Sequence, residues 1–100
     1  MGKIVFTISY EVKPEKRADY LSLAKDMQSH LSGQKGKNYA IYEDKNKKNS
    51  FSEIYTCSSM EEYDSLEDEQ DELTTQLIGK LEDLIVGGKM KYSTLFEVND

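Results

Sequence analysis

An α+β domain of βαββαβ order is the fold class the sequence predicts, and three observations predict it. Segments near both ends of the chain alternate apolar and polar residues with period two. Two longer segments repeat apolar residues at helical spacing. Between those two lies a pair of short strand-like runs joined by a polar turn. Period two marks a half-buried strand and period 3.6 an amphipathic helix.

The first strand is Lys3–Val12, "KIVFTISYEV". Ile4, Phe6, Ile8, Tyr10 and Val12 point to one face, and Val5, Thr7, Ser9 and Glu11 to the other. Pro14 opens a helix, because the first helical position needs no amide hydrogen. Glu15 and Asp19 suit the positive end of its dipole. Tyr20, Leu23, Ala24, Met27 and Leu31 form its apolar stripe. Gly33 is expected to end it, so the helix spans about 14–32. "KNYAIYEDKNKKNSFSEIYTC" reads as a hairpin. Its strands are Asn38–Asp44 and Ser50–Cys57, and "KNKKN" supplies the turn. Ser59 and Glu62 have the spacing of a capping box. The apolar pattern then continues at helical spacing to Val86, where Gly87-Gly88 stops it. "MKYSTLFEV", Met90–Val98, is the fourth strand. This is the ferredoxin-like arrangement, an antiparallel four-stranded sheet with helices on one face. A single helix over 59–86 would be ~42 Å long at about 1.5 Å per residue. A strand of this fold is only ~27 Å. A break near Glu67–Glu72 is therefore expected.

One hundred residues make one domain, 1–100. The net charge is −6, and eight of the twelve residues from Glu61 to Glu72 are acidic. Such a chain repels phosphate, which argues against nucleic acid and anionic membranes as partners. A single cysteine, Cys57, allows no internal disulfide or zinc site and reads as a buried, inert thiol. No signal peptide or membrane-length apolar run is visible, so the expected location is the cytoplasm.

The acidic run lacks the glycine and ligand spacing of a calcium loop. It reads as a solvated helix face, with a docking surface for a basic partner as the alternative. Within a continuous helix its like-charge pairs would cost about 1.5–3.5 kcal/mol, which a break relieves in part. His30, the only histidine, reads as a half-buried residue at a helix end, paired with Asp26. The sharper alternative is a general base or a metal or haem ligand.

The strand tyrosines are more informative, since tyrosine joins apolar area to a hydroxyl that needs a partner when buried. Glu53 and Tyr55 share one face of their strand and are the candidate catalytic pair. Thr7, Ser9, Tyr42, Tyr92 and Thr94 are candidate ligand-binding residues, provided their faces coincide. No metal-ligand set is present, and no residue calls for a cofactor.

Other families of this fold lack support. There is no C-x-x-C after the first strand for a heavy-metal domain, and "FSEIYTC" lacks the core of an RNA-recognition motif. Acylphosphatase would need an arginine and asparagine arrangement that is absent. The chain resembles the dimeric α/β-barrel superfamily, especially the small antibiotic-biosynthesis-monooxygenase-like (ABM-like) domains. "VFTISYEVKPEKRADYLSLAKDM" resembles their first strand, joint and helix. Glu53-Ile54-Tyr55 resembles their E-x-[YW] strand end, and "KMKYSTLFEV" their last strand. The resemblance implies a homodimer whose two sheets pack face to face, with a small-molecule pocket between sheet and helices in each subunit. It also implies activity on a small aromatic or apolar metabolite, with a non-catalytic small-molecule- or protein-binding dimer as the alternative. Members that oxidise polyphenols or degrade haem use Trp, Asn and His in that pocket. This chain has no Trp, and Leu66-Glu67 stands where the histidine of the short helix is often found.

Overall fold

The structure, a computed structural model, describes residues 2–68 and 72–98. Strand β1 is Ile4–Glu11. A 3-10 turn, Pro14–Lys16, leads into helix α1, Arg17–Gln28, and a π-helical turn, Ser29–Gln34, extends it. Strands β2, Tyr39–Glu43, and β3, Ser50–Cys57, form the hairpin. Helices α2, Met60–Asp68, and α3, Glu72–Glu82, follow, and β4, Lys91–Phe96, closes the sheet. The strand order is β2-β3-β1-β4 and every pairing is antiparallel, as the ferredoxin-like reading requires.

The helices cover one face. Tyr20, Leu23, Ala24 and Met27 of α1 pack with Leu77 and Leu81 of α3 against Tyr10, Tyr39 and Phe51 of the sheet. The apolar stripe read from the sequence is thus the core. Tyr20 and Phe51 lie ring to ring, with centroids 4.4 Å apart.

Two helix ends differ from expectation. Gly33 does not end the first helix. The chain keeps turning to Gln34, and Gly36, at φ +66°, makes the stop. Lys37 donates its amide hydrogen back to the Leu31 carbonyl there. The left-handed conformation needs a glycine, and two are available within four residues, so spacing alone does not choose between them. The second helical region ends at Glu82 rather than at Val86. Ile85 is extended and bridges Val12, with both side chains almost wholly buried. Burying Ile85 against the sheet outweighs the helical continuation that its spacing suggests. Gly87 and Gly88, both at positive φ, then turn the chain into β4. The break expected near Glu67–Glu72 falls on residues 69–71, which lie outside the described residues; helices are described on either side of it.

The capping signal is close to expectation. Ser59 Oγ accepts from the Glu62 amide at 3.2 Å. The Glu62 carboxylate reaches back to the amide of Ser58, at 3.0 Å, and to the Ser58 hydroxyl. These bonds satisfy amides at the start of α2 that have no helical partner.

Candidate functional site

Register decides which candidate residues meet. On β1, Ile8 stands between Glu53 of β3 and Tyr92 of β4, and Phe6 stands between Tyr55 and Thr94. Glu53, Tyr55, Tyr92 and Thr94 therefore share the helix-covered face. Thr7 and Ser9 alternate to the opposite face, and so does Tyr42, which pairs with Ser52. Ser9 bonds the Ser52 hydroxyl there at 2.9 Å. The seven candidates thus do not form one site. The alternation of β1 puts Thr7 and Ser9 on the face away from the helices, because Ile4, Phe6, Ile8, Tyr10 and Val12 claim the covered one.

The four that coincide line a cleft between sheet and helices. Its outer part has a volume of about 510 Å³, with walls of Phe6, Tyr55, Tyr63, Leu66, Ile78 and Tyr92. The Phe6 ring stacks on Tyr92 at 6.2 Å and meets Tyr63 edge-on at 6.1 Å. The Tyr63 hydroxyl lies 2.9 Å from Thr94 Oγ1 and ties α2 to β4. Ile8, Leu31, Tyr55, Thr74, Ile78 and Tyr92 border this space and also an inner chamber of about 80 Å³. Met27, Leu77, Leu81 and Met90 complete the apolar wall of that chamber, and Glu53 brings a carboxyl to it.

Glu53 is 5% exposed. The Tyr39 hydroxyl donates to its Oε1 at 2.7 Å. Burial pushes the carboxyl above its usual range, and the hydroxyls of Tyr39 and Tyr10 oppose that shift. Tyr10 and Tyr20 join hydroxyls at 2.8 Å nearby. Burial, with the Glu53 charge adding to it, holds the hydroxyls of Tyr10, Tyr39 and Tyr55 above the usual phenol range, so each keeps its proton. The result is a carboxyl of raised proton affinity inside a row of hydroxyls, beside a space a small molecule can enter. That combination suits proton exchange or hydrogen bonding with a bound molecule.

His30 is buried, with Nε2 3.2 Å from Thr74 Oγ1 on α3. The expected partner Asp26 is exposed. Cys57 is buried, and burial raises its thiol. Among the described residues, no group of three or more His, Cys, Asp or Glu is placed to hold a metal ion. No described helix is long and apolar enough to cross a membrane.

Sequence reasoning missed Phe6, Tyr39, Tyr63 and Thr74. Tyr39 could have been found, because in a hairpin with a five-residue turn it falls opposite Tyr55, on the Glu53 face. Thr74 and Tyr63 come from helices whose docking no local pattern specifies.

No protein-family model matches the sequence, and no curated protein matches it. Solved structures do. A candidate antibiotic biosynthesis monooxygenase from Caulobacter crescentus superposes with a TM-score of 0.78 at 15% identity, over 98% of this chain and 92% of that one. SnoaB, a cofactor-independent oxygenase from Streptomyces nogalater solved as a point mutant, gives 0.75 at 12% identity, over 100% and 97%. This fold is the ABM-like one. A conserved protein of unknown function from Bacteroides thetaiotaomicron shares it at a TM-score of 0.74 and 18% identity, over 96% and 98%. Identities this low establish the fold of the ABM-like proteins for this chain and leave its chemistry to its own residues.

Proposed function

We propose that the chain is a small ABM-like enzyme that binds an aromatic or apolar metabolite in the cleft, with Glu53 as its proton-handling group. One observation carries this reading: a cleft of about 510 Å³ between sheet and helices leads to a buried carboxyl. Pockets of that size, apolar with few placed polar groups, are the usual form of a small-molecule site. Tyr55 and Tyr92 hold the flat part of the substrate, and Thr94 is held at the rim by Tyr63. Ionised Glu53 takes a proton from the bound molecule. In an oxygenation of a methylene carbon, the carbanion left behind adds molecular oxygen, the peroxide takes the proton back from Glu53, and loss of water leaves one oxygen on the substrate as a carbonyl, the substrate itself supplying the electrons; no residue here calls for a cofactor.

The active form is a homodimer in this reading. The sheet face away from the helices carries Val5, Ile54 and Leu95 beside Thr7, Ser9 and Tyr42. Tyr42 and Leu95 are 57% and 55% exposed, and Val5 and Ile54 only half-buried. A second sheet packed on this face would cover them. Thr7, Ser9 and Tyr42 then serve the interface and not the ligand.

The test is a panel of flat aromatic compounds, followed by chemical-shift perturbation and by oxygen uptake. We expect binding that shifts cleft resonances and, for some compounds, oxygen uptake that drops at least a hundredfold in Glu53→Gln. Binding without turnover supports the second reading, a non-catalytic small-molecule-binding dimer. The absence of Trp favours that reading, as do the ties of Glu53 to Tyr39 and His30 to Thr74. No binding at the cleft refutes both.

A further inference from the structure

The inner chamber constrains the ligand more tightly than the outer cleft, and this inference rests on the cleft being the ligand site. The chamber's volume is about 80 Å³. A dry cavity of roughly 150 Å³ takes a benzene ring. About half a ring therefore fits, three or four non-hydrogen atoms by the same measure. Its wall is aliphatic and thioether apart from Tyr55, Tyr92, the Thr74 hydroxyl and the Glu53 carboxyl. Thr74 belongs to the lining of both spaces, as do Ile8, Leu31, Tyr55, Ile78 and Tyr92, and it brings an aliphatic hydroxyl to that shared border. The hydrogen bond between that hydroxyl and His30 Nε2, at 3.2 Å, helps to fix its rotor. The outer cleft is wide; Phe6, Tyr55 and Tyr92 form a continuous run of rings along it, and Lys35 and Lys37 also belong to its lining.

Two chemistries follow. A ligand that fills both spaces must be flat and broad at one end and narrow at the other. Its narrow end meets a carboxyl in an apolar wall, and an ionised carboxyl can only accept hydrogen bonds. An ether or a bare hydrocarbon entering there offers that carboxyl no donor. A hydroxyl adds one to the bond it already receives from Tyr39.

We infer that the cleft takes its ligand end-on, with a hydroxyl leading: the hydroxyl-bearing edge of a flat apolar molecule passes Thr74 and donates to Glu53, while its body lies against Phe6, Tyr55 and Tyr92. Thr74 and Glu53 are then the residues that select the hydroxyl, and Leu77 and Met90 set how much of the molecule can follow it. The two methionines of the chamber are the adaptable part of its wall, because Met is unbranched and polarizable.

The test uses two probes of one shape, 2-naphthol and 2-methoxynaphthalene, titrated into the full chain. Affinity and methyl chemical shifts are both read. We expect 2-naphthol to bind at least tenfold more tightly and to shift the methyls of Leu77 and Met90. Glu53→Gln removes most of that preference, since the Gln carbonyl must serve Tyr39 and the amide then faces the chamber. Thr74→Val, nearly isosteric and on a helix, lowers the preference at least threefold and tests the inference even if Glu53→Gln does not fold. Equal affinity for the two probes overturns the inference. So does binding of 2-naphthol that shifts only outer-cleft resonances, or a preference unchanged in Thr74→Val. If neither probe binds while other flat compounds of the panel do, only the end-on arrangement falls. If nothing binds the cleft, the proposed function falls with it.

Discussion

Glu53 carries an ionisable group into the core, and its protonation couples to stability. Its folded proton affinity lies above the ordinary value of 4.5. As pH rises, the unfolded chain releases this proton before the folded chain does. Stability therefore falls as pH rises through the folded titration, and it is fully present below the unfolded one. We expect urea midpoints of the native chain to fall as pH rises above the ordinary carboxylate range, and those of Glu53→Gln to fall less. Glu43 works in the opposite sense. Its hydrogen bonds with Arg17 hold its carboxyl down at about 2, so its contribution is lost only as pH falls below the ordinary range. The two windows do not overlap. Tyr39→Phe removes the donor to Glu53 Oε1 and is expected to cost about 1–2 kcal/mol at neutral pH, measured by urea unfolding. At this scale the sequence was half legible. A carboxylate on an apolar strand face is visible as an anomaly, so Glu53 could be singled out. Its partners depend on cross-strand register, and Thr74 on how α3 docks, neither of which is written in any local pattern.

Among the elements, strands were the more legible. β3 matches its expected span of Ser50–Cys57, because a period-two run bounded by turn residues has few alternatives. Helix ends were less so. Both misplaced ends, at Gly33 and at Val86, follow from competition between local signals and tertiary burial. The two glycines after α1 allow a direct check. Gly36 is left-handed, whereas Gly33 is helical with nothing within 4 Å of an added Cβ. Gly36→Ala is expected to destabilise by about 1 kcal/mol and Gly33→Ala to stabilise by about 0.5–1 kcal/mol, in the same denaturation assay. A reversed order would mean that the helix stops where the sequence pattern first suggested. Ser59→Ala removes the acceptor for the Glu62 amide and should cost about 1 kcal/mol, readable as a lower thermal midpoint.

For the whole molecule, the topology was legible and the use of its two faces was not. Composition and order of elements led to βαββαβ, since few antiparallel arrangements satisfy that order with short connections. The candidate hydroxyls, taken as one set, turned out to be divided by the sheet itself. If a second copy covers the outer face, a charge placed there should separate the subunits. Ile54→Glu is expected to convert a dimer of about 23 kDa, twice the mass of the 11.5 kDa chain, into monomer by sedimentation, with little loss of helical circular dichroism. A native chain that already sediments as a monomer would remove the homodimer from the reading.

The two ends of the sheet are built differently. At one end three connections are laced together: Val12 donates to the Asn49 carbonyl, Lys13 donates to the Leu84 carbonyl, and Arg17 bonds both Glu43 and Asn49. The outer cleft is lined nearer the other end, by Phe6, Tyr55 and Thr94 among others. Amide hydrogen exchange would register this as a gradient. The amides of Val12 and Lys13 should exchange only with global unfolding, while those of α2 should exchange through local openings. A molecule that can open at one end without loosening the other can admit a ligand and still keep its fold closed.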